Sequence, residues 1–414
     1  MENQKKIVVG VSGGIAAYKA CHVVREFTEH GDDVTVVPTE AALQFVGKST
    51  FEALSGNPVS TTVFEAVDEV RHVNVGKQAD LIVVAPATAD FIARVAGGRA
   101  DDLLTATILV ATCPVVLAPA MHTEMWLNPA TQANVHTLRS RGITVLEPAH
   151  GRLTGTDSGP GRMLEPHQIV TLARTVLAGE TLQPTLAGKT VLITAGGTRE
   201  AIDPVRFIGN YSSGRQGFAL ADIAVHRGAH VILIAGHTES VTAPSGATVI
   251  RVASAQEMQT EVEQLAAGVD IIIMAAAVAD FRPKQVAESK LKKGSSAQTG
   301  LSAIQLVENT DILKGLVDKR KAGELPAQPL IMGFAAETGD TASSALEYAQ
   351  AKLAKKGCDF LMFNDVAGGK VFGQSHNRGF LFSSQGTVTD IADGTKHVVA
   401  AQIMDVIEEH LGGN

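Results

Sequence analysis

Short runs of Val, Ile and Leu alternate along the chain with stretches whose apolar residues recur at helical spacing. This alternation is typical of a parallel sheet covered by helices on both faces. Helices are predicted over residues 15–30 and 129–141, which Gly31 and Gly142 end. In the first half, the pattern predicts strands in KIVVGV, DVTVVPT, DLIVVAPAT, PVVLAPAM and ITVLEP.

The periodic pattern stops at AGETLQPTLAGK, where Gly and Pro indicate a linker. It then resumes, with predicted helices over 214–227 and 397–411 and strands in TVLITAGG, HVILIAG, DIIIMAAAVAD, PLIMGFAAET and DFLMFND. We therefore predict an α/β protein with two Rossmann-like domains, residues 1–180 and 189–414, joined by the linker 181–188.

A polar stretch rich in Lys, Ser and Gly separates two of the second domain's strands, over residues 281–300. It is too long for an ordinary connection between a strand and a helix. We therefore predict that it forms a mobile flap or an active-site loop.

Composition narrows the class of protein. The length of 414 residues favours two hydrophobic cores, and no apolar run is long enough to cross a membrane. The polar start lacks a secretory leader, which favours the cytoplasm. Three widely spaced cysteines are expected to be reduced core thiols. A formal net charge of −8 favours small-molecule partners over nucleic acid.

The first domain begins with a strand that runs into SGGIAAYK, so Ser12, Gly13 and Gly14 lie at a strand-to-helix turn. Backbone N–H groups and the helix dipole at such a turn can hold a phosphate, although glycines there often only permit the bend. Farther along, Thr88 and Asp101 follow a strand whose carboxyl end is where open α/β sheets bind ligands.

Four segments, SGGIAAYK, APATAD, PAMHTEMW and SGPGRM, resemble those of the flavin-dependent cysteine decarboxylases. The resemblance implies a flavodoxin-like domain that binds FMN and assembles as trimers. It implies a catalytic role for His72, which would otherwise be interpreted as a surface helix residue. It also implies that Met121 contacts the substrate and that the FMN contacts are Ser12, Gly13, Gly14, Thr39, Thr88 and Asp101.

The reaction that this resemblance implies has two stages. FMN first oxidises the cysteinyl thiol end of the substrate toward a thioaldehyde, after which CO2 leaves easily and reduced flavin returns hydride. This chain departs from the family at two catalytic positions, with His122 where Asn is usual and Thr154 where a proton-donating Cys is frequent. Solvent, His150 or Asp157 are alternative proton donors.

The second domain contains the long stretch TVLITAGGTREAIDPVRFIGNYSSGRQG. Arg206 can pair with a phosphate or carboxylate, and Ser212 and Gly214 open a helix with exposed N–H donors. A Ser-capped helix with a solvated Arg is the alternative interpretation of the same residues, and the length of the matching stretch disfavours it.

This stretch resembles that of the phosphopantothenate–cysteine ligases. The resemblance implies that it holds the phosphorylated acid and that Asn210 contacts an acyl cytidylate. It assigns Lys290 to a mobile active-site lysine in ESKLKKG, a cluster that is otherwise an ordinary solvated surface. The CTP contacts that it implies are Ala276, Asp280, Lys290, Asn309, Thr310, Asp311, Ile312, Phe334, Lys352 and Lys356.

The two resemblances together cover nearly the whole chain and imply a bifunctional enzyme of coenzyme A biosynthesis. CTP activates the carboxylate of 4′-phosphopantothenate, cysteine displaces CMP, and the product is decarboxylated to 4′-phosphopantetheine. Mg2+ is expected with a triphosphate, although no metal-ligand spacing is visible. By analogy, trimers of the first domain joined by dimers of the second would give a dodecameric homo-oligomer.

Three alternatives remain open from the sequence. The first is a ligase whose flavin domain no longer decarboxylates because of His122 and Thr154. The second is a flavin-bearing regulatory or scaffolding protein, which the presence of Arg206, Asp280 and Lys290 disfavours. The third is an NAD oxidoreductase, which neither glycine-rich turn matches in spacing.

Overall fold

The chain divides into two compact units, residues 1–183 and 184–414, and the division lies within the predicted linker. The computed structural model describes residues 4–61, 71–152, 158–291, 304–326, 328–337, 342–365 and 376–412. No helix in these ranges is long and apolar enough to cross a membrane. Each unit is described by itself below.

The first unit is built on a five-stranded parallel sheet of order β2-β1-β3-β4-β5. Its strands are β1 (Lys6–Val11), β2 (Asp33–Pro38), β3 (Leu81–Ala87), β4 (Val115–Pro119) and β5 (Thr144–Val145). A separate antiparallel hairpin follows, made of β6 (Ala149–Arg152) and β7 (Ser158–Arg162).

Helices surround this sheet. They are α1 (Ala17–Glu29), α2 (Lys48–Ser55), α3 (Arg71–Gln78), α4 (Ala89–Ala96), α5 (Leu103–Val110), α6 (Thr123–Trp126), α7 (Pro129–Ser140) and α8 (Pro166–Leu177). All seven residues of β3 are buried, because helices cover both faces of the sheet. Gly31 and Gly142, which were predicted to end helices, have positive φ angles of 87° and 85°.

The second unit has an eight-stranded sheet of order β12-β11-β8-β13-β16-β17-β18-β19. Its strands are β8 (Thr190–Ala195), β11 (His230–Ala235), β12 (Thr248–Arg251), β13 (Ile271–Met274), β16 (Leu330–Glu337), β17 (Phe360–Asp365), β18 (His376–Ser383) and β19 (Val388–Thr395). Two small antiparallel sheets pair β9 (Arg199–Ala201) with β10 (Phe207–Gly209), and β14 (Phe281–Pro283) with β15 (Leu306–Glu308).

The helices of the second unit are α9 (Arg215–His226), α10 (Ala255–Leu265), α11 (Ile312–Lys321), α12 (Ala342–Lys356) and α13 (Lys396–Gly412). Helices α9 and α13 contact each other. The guanidinium of Arg227, just beyond α9, is fully buried and pairs with Asp405 at 2.8 Å and Glu408 at 2.9 Å on α13. This pairing fixes the two helices against each other.

The predicted parallel sheet of the second domain is confirmed from β11 to β17. At one edge it continues in the parallel strand β12, which was not predicted, and at the other β18 and β19 extend it as an antiparallel hairpin. The sequence analysis did not predict that hairpin. The strand predicted in DIIIMAAAVAD is too long, because β13 ends at Met274 and residues 275–280 form a loop. An apolar loop of small residues has the same composition as a buried strand.

Candidate functional site

Each unit contains a large cleft that brings predicted site residues together. The cleft of the first unit has a volume of about 670 Å³, and that of the second unit about 890 Å³. Both volumes lie within the range of roughly 300–1,000 Å³ that is usual for small-molecule sites.

The first-unit cleft lies where β1, β2 and β3 end, at the carboxyl edge of the sheet. The Ser12 hydroxyl donates a hydrogen bond to the carbonyl oxygen of Pro86 at 2.8 Å and accepts one from the Thr88 N–H at 3.1 Å. These bonds join the turns that follow β1 and β3. The predicted residues that line the cleft are Ser12, Gly13, Thr39, Thr88 and Asp101.

The turn between β1 and α1 presents backbone donors. The N–H groups of Gly13 and Gly14 donate to no acceptor among the described residues. A Cβ atom on Gly13 would lie 2.5 Å from the Cβ of Ala41, so the close approach of the next turn requires glycine there. Gly14 belongs to the same turn but does not line the cleft.

Asp101 lies in a network of charges rather than alone. Its carboxylate forms ion pairs with Arg94 and Arg99, and Arg94 also pairs with Asp102 at 2.8 Å. The hydrogen bond from Arg94 is the main reason that the pKa of Asp101 lies below its ordinary value. The sequence analysis missed Arg94, Arg99 and Asp90, all of which line the cleft, because no motif marked them.

Met121 and His122 follow β4 but do not line this cleft. The Met121 N–H donates to the carbonyl oxygen of Gly161 on β7 at 2.9 Å. His122 is exposed and precedes α6, and its carbonyl oxygen accepts from the Trp126 N–H at 3.0 Å. The hairpin β6–β7 therefore lies against the PAMHTEMW segment.

Two predicted catalytic groups of the first domain are not described. His72 belongs to α3, but its side chain lies outside the described residues. Thr154 and Asp157 lie outside them as well, between β6 and β7.

The second-unit cleft brings together most of the predicted ligase residues. They come from the segment before α9, the loop after β13, the start of α11, and β16 and α12. The predicted residues that line it are Asn210, Ser212, Gly214, Ala276, Asp280, Asn309, Thr310, Asp311, Ile312, Phe334, Lys352 and Lys356.

Two asparagine side chains support the loop after β13. Asn210 donates to the carbonyl oxygen of Val278 at 3.0 Å, and Asn309 donates to that of Ala279 at 2.8 Å. Asp280 lies exposed at the end of this loop, rather than at the end of a buried strand as we had predicted.

The turn before α9 also depends on a glycine. Gly214 has a φ angle of 77°, and a Cβ atom there would lie 2.5 Å from Cγ2 of Thr238. The Ser212 hydroxyl accepts a hydrogen bond from the Gly214 N–H at 3.3 Å. The N-terminus of α9 therefore opens into the cleft, as the serine and glycine pattern predicted.

Arg206 and Lys290 lie outside the cleft lining. The guanidinium of Arg206 lies 3.4 Å from the buried carboxylate of Asp203 and donates to the carbonyl oxygen of Leu291 at 3.1 Å. Lys290 is exposed and directly precedes Leu291, whose N–H donates to Asp203 at 3.2 Å. These bonds place Lys290 beside Arg206. The rest of the predicted loop, residues 292–300, lies outside the described residues.

The polar residues of the same cleft that were not predicted include Gln216, Asn364, Asn377 and Lys396. Within the described ranges, no three His, Cys, Asp or Glu side chains lie close enough together to hold a metal ion.

Comparisons with known proteins agree with the division of the chain into two units. The flavoprotein family model matches residues 1–177, and the model of the DNA/pantothenate metabolism flavoprotein C-terminal domain matches residues 186–411. A solved C-terminal domain of a coenzyme A biosynthesis bifunctional protein CoaBC is 38% identical, covering 56% of this chain and all of its own, with a TM-score of 0.45.

Curated relatives match over nearly the whole chain. The coenzyme A biosynthesis bifunctional protein CoaBC of Mycobacterium bovis is 57% identical over 410 residues, which cover 99% of this chain and 97% of that protein. The protein of the same name from Vibrio vulnificus is 43% identical over 411 residues, covering 99% and 98%. The chain therefore belongs to the family of coenzyme A biosynthesis bifunctional proteins.

Proposed function

We propose that this chain catalyses two consecutive steps of coenzyme A biosynthesis. In the first step, 4′-phosphopantothenate is joined to cysteine at the expense of CTP through an acyl cytidylate. In the second, 4′-phosphopantothenoylcysteine is decarboxylated to 4′-phosphopantetheine with FMN. The observation that carries the proposal is the second-unit cleft, which unites residues from distant segments that the ligase resemblance had assigned to one site.

For the ligase step, charge neutralisation is the main contribution of the protein. The lysines Lys352 and Lys356 are one helical turn apart on α12, so both can reach the nucleotide. Ala276, Asp280, Asn309, Thr310, Ile312 and Phe334 would complete the nucleotide site, and Asn210 would contact the acyl cytidylate. Ser212, Gly214 and Arg206 would hold the phosphorylated acid, and Lys290 would close over it.

The residues of the first-unit cleft fit FMN. The unengaged N–H group of Gly13 suits its phosphate, and the hydroxyls of Ser12, Thr39 and Thr88 line the same cleft. Gly14, in the same turn, would be the next donor along the chain. Arg94 holds Asp101 at the rim. When bound, FMN supplies the two-electron oxidation and reduction that this decarboxylation requires.

The groups of the chain itself would manage protons and the carboxylate. His72 would suit proton transfer, because an imidazole can both donate and accept a proton near neutral pH. His122 can hold a carboxylate in its charged form, although a neutral ring has only one donor. Thr154 is a weaker acid than the usual thiol, so solvent or a neighbouring side chain would supply the last proton.

The presence of His122 and Thr154 instead of the usual Asn and Cys favours one alternative function. In that alternative the chain is a ligase that has kept FMN but no longer decarboxylates. Purified protein should be incubated with 4′-phosphopantothenate, cysteine, CTP and Mg2+ and its products identified by mass spectrometry. The proposal expects 4′-phosphopantetheine, CMP and pyrophosphate. Accumulation of 4′-phosphopantothenoylcysteine would establish the alternative, and no CTP-dependent product would refute both.

We also propose that the protein forms a homo-oligomer. Separately, we propose magnesium as the cation that accompanies CTP. Large apolar side chains are exposed on the small sheets of the second unit, including Phe207, Phe281 and Leu306, and on the neighbouring Tyr211. Such a patch is usual at a contact between subunits. Light scattering of the purified protein would determine whether the mass is that of a dodecamer, and fractionation of cells would test the predicted cytoplasmic location.

A further inference from the structure

A buried carboxylate, that of Asp203, joins two segments of the second unit that carry predicted ligase residues. Asp203 lies in the loop between β9 and β10, and its side chain is fully buried. It was not predicted as a site residue, and it does not line the cleft. Carboxylates are rarely buried unless their oxygens are paired, so the contacts of Asp203 indicate what the residue does.

One carboxylate oxygen of Asp203 holds the loop itself. Oδ1 accepts hydrogen bonds from the N–H groups of Val205 at 2.8 Å and of Arg206 at 2.9 Å. An Asp that bonds to the backbone a few residues later forms a compact turn, and an Asn forms the same turn. This half of the contact is therefore local, and it fixes the backbone from which the Arg206 side chain extends.

The other oxygen reaches a segment 88 residues farther along the chain. Oδ2 accepts a hydrogen bond from the N–H of Leu291 at 3.2 Å, and Nη2 of Arg206 donates to the carbonyl oxygen of Leu291 at 3.1 Å. Asp203 and Arg206 together therefore bind both backbone groups of this residue. A further bond, from the N–H of Ala287 to the carbonyl oxygen of Ile202 at 3.0 Å, holds the same segment four residues earlier.

The long-range contact depends on the charge of the carboxylate. Burial by itself would raise the pKa of the Asp203 carboxyl, but the three backbone N–H groups and the nearby guanidinium hold it below its ordinary value. An Asn in its place could still accept from the local N–H groups. Its NH2 group would then face the Leu291 N–H and the Arg206 guanidinium, which are both donors.

The guanidinium of Arg206 also has a nitrogen available for a ligand. Nη1 is buried and forms no hydrogen bond within the described residues, and it lies 3.4 Å from Asp203. Because buried donors are nearly always paired, this nitrogen favours an acceptor that the chain does not supply. An anion bound there and the backbone of Leu291 would be held by the two terminal nitrogens of one planar group.

We propose that Asp203 is a positioning residue of the ligase step, which together with Arg206 holds the backbone beside Lys290 and so directs that lysine to the reacting groups. This role rests on the proposed ligase function and deepens it. Asp203 itself touches no substrate. Lys290 directly precedes the doubly bound Leu291, so its ammonium group loses less conformational freedom when it engages the substrates.

The test compares Asp203→Asn with Asp270→Asn. Asp270 is a matched control, because its carboxylate also joins distant segments, accepting from the Thr190 N–H at 2.8 Å and from Lys189 at 3.1 Å, but lies outside the cleft lining. Pyrophosphate release from CTP and 4′-phosphopantothenate is measured without cysteine. Asp203→Asn should slow this release by about 10-fold and leave the KM for CTP unchanged. Asp270→Asn should release pyrophosphate as the wild type does.

A double variant distinguishes positioning from a general loss of structure. If Asp203 acts through Lys290, adding Asp203→Asn to Lys290→Ala should slow release by less than about 2-fold, because both changes disturb the same interaction. Two unconnected changes would instead multiply their effects.

Trypsin provides a readout of the backbone itself. It cleaves after a lysine where the chain opens locally, and the N–H of the bond between Lys290 and Leu291 is the group that Asp203 holds. Asp203→Asn should raise the rate of cleavage after Lys290 by about 10-fold, because it removes a hydrogen bond to a charged group. Mass spectrometry of the fragments identifies the cleaved bond, and Asp270→Asn should leave its rate unchanged.

Three results would overturn the proposal. These are multiplied losses in the double variant, unchanged cleavage after Lys290 in Asp203→Asn, or an equal slowing of the decarboxylation of supplied 4′-phosphopantothenoylcysteine, which would indicate general destabilisation. A wild-type enzyme that releases no pyrophosphate would refute the ligase function itself. As a second variant, Asp203→Ser keeps an acceptor for the local turn but removes the long-range contact, and it should reproduce both effects.

Discussion

The ammonium group of Lys356, in the last turn of α12, forms an ion pair with the carboxylate of Asp311, which caps α11. Asp311 also accepts a hydrogen bond from the N–H of Lys314 at 3.1 Å. Partial burial by itself would raise the pKa of the Asp311 carboxyl, but Lys356 and the Lys314 N–H hold it below its ordinary value. The pair fixes the position of a lysine that lines the cleft.

Asp311→Asn should reveal this pair in the pH dependence of stability. Asparagine still caps α11, so the change removes mainly the ion pair, which contributes about 0.2–1 kcal/mol because it is partly exposed. The folded carboxyl has the lower pKa, so its contribution is complete above the unfolded pKa of about 4 and is lost as pH falls through the folded value. Urea unfolding at a series of pH values from 7 to 3 measures it.

Asp318→Asn provides the matched control, since Asp318 pairs with Lys314 at 2.9 Å on the exposed side of α11. At pH 7, Asp318→Asn should lower the free energy of unfolding by no more than Asp311→Asn does. An equal loss for Asp311→Asn at pH 3 and pH 7 would contradict the assignment of the lowered pKa to this pair.

Lys290→Ala and His72→Ala should separate the two activities. Loss of the Lys290 ammonium should slow pyrophosphate release by about 10-fold or more and spare decarboxylation of supplied 4′-phosphopantothenoylcysteine. His72→Ala should do the reverse, by about 100-fold for a general acid or base. Lys284→Ala, at an exposed position outside the cleft lining, is the control. If either variant remained folded but lost both activities, the assignment of one activity to each domain would be wrong.

Gly161→Ala should impair decarboxylation alone. A Cβ atom on Gly161 would lie 2.4 Å from the carbonyl oxygen of Met121, and its φ angle of 137° is strained for alanine. The hairpin β6–β7 would therefore move away from the segment that carries His122. Single-turnover assays and flavin absorbance distinguish loss of chemistry from loss of FMN.

Gly142→Ala is the control for that change, because its φ is 85° and a Cβ atom would meet nothing within 4 Å. It should cost roughly 1 kcal/mol of stability through backbone strain and leave both activities unchanged. Equal activity losses in the two variants would indicate a general destabilisation instead.

The sequence predicted where most of the parallel strands lie along the chain, because residues that helices bury on both faces of a sheet leave continuous apolar runs. It also predicted four of the described helices, α1, α7, α9 and α13. The prediction failed where a segment has the composition of one element but the backbone geometry of another. Residues 275–280 are as apolar as a strand, yet β13 pairs with β16 only from Ile271 to Met274 and the chain then turns into the cleft. The hairpin β18–β19 was missed because its strands are polar where they are exposed.

The sequence by itself determined the two-domain α/β architecture and, through its motifs, the family, and it indicated candidate site residues. The tertiary structure alone decided which of those residues share a cleft. It left Arg206 and Lys290 outside the lining and brought Asn377 and Lys396 into it. Neither of these last two lies in a recognisable motif. A missing hydrogen-bond partner or counter-ion depends on every element that surrounds a side chain, and only the folded chain brings those elements together.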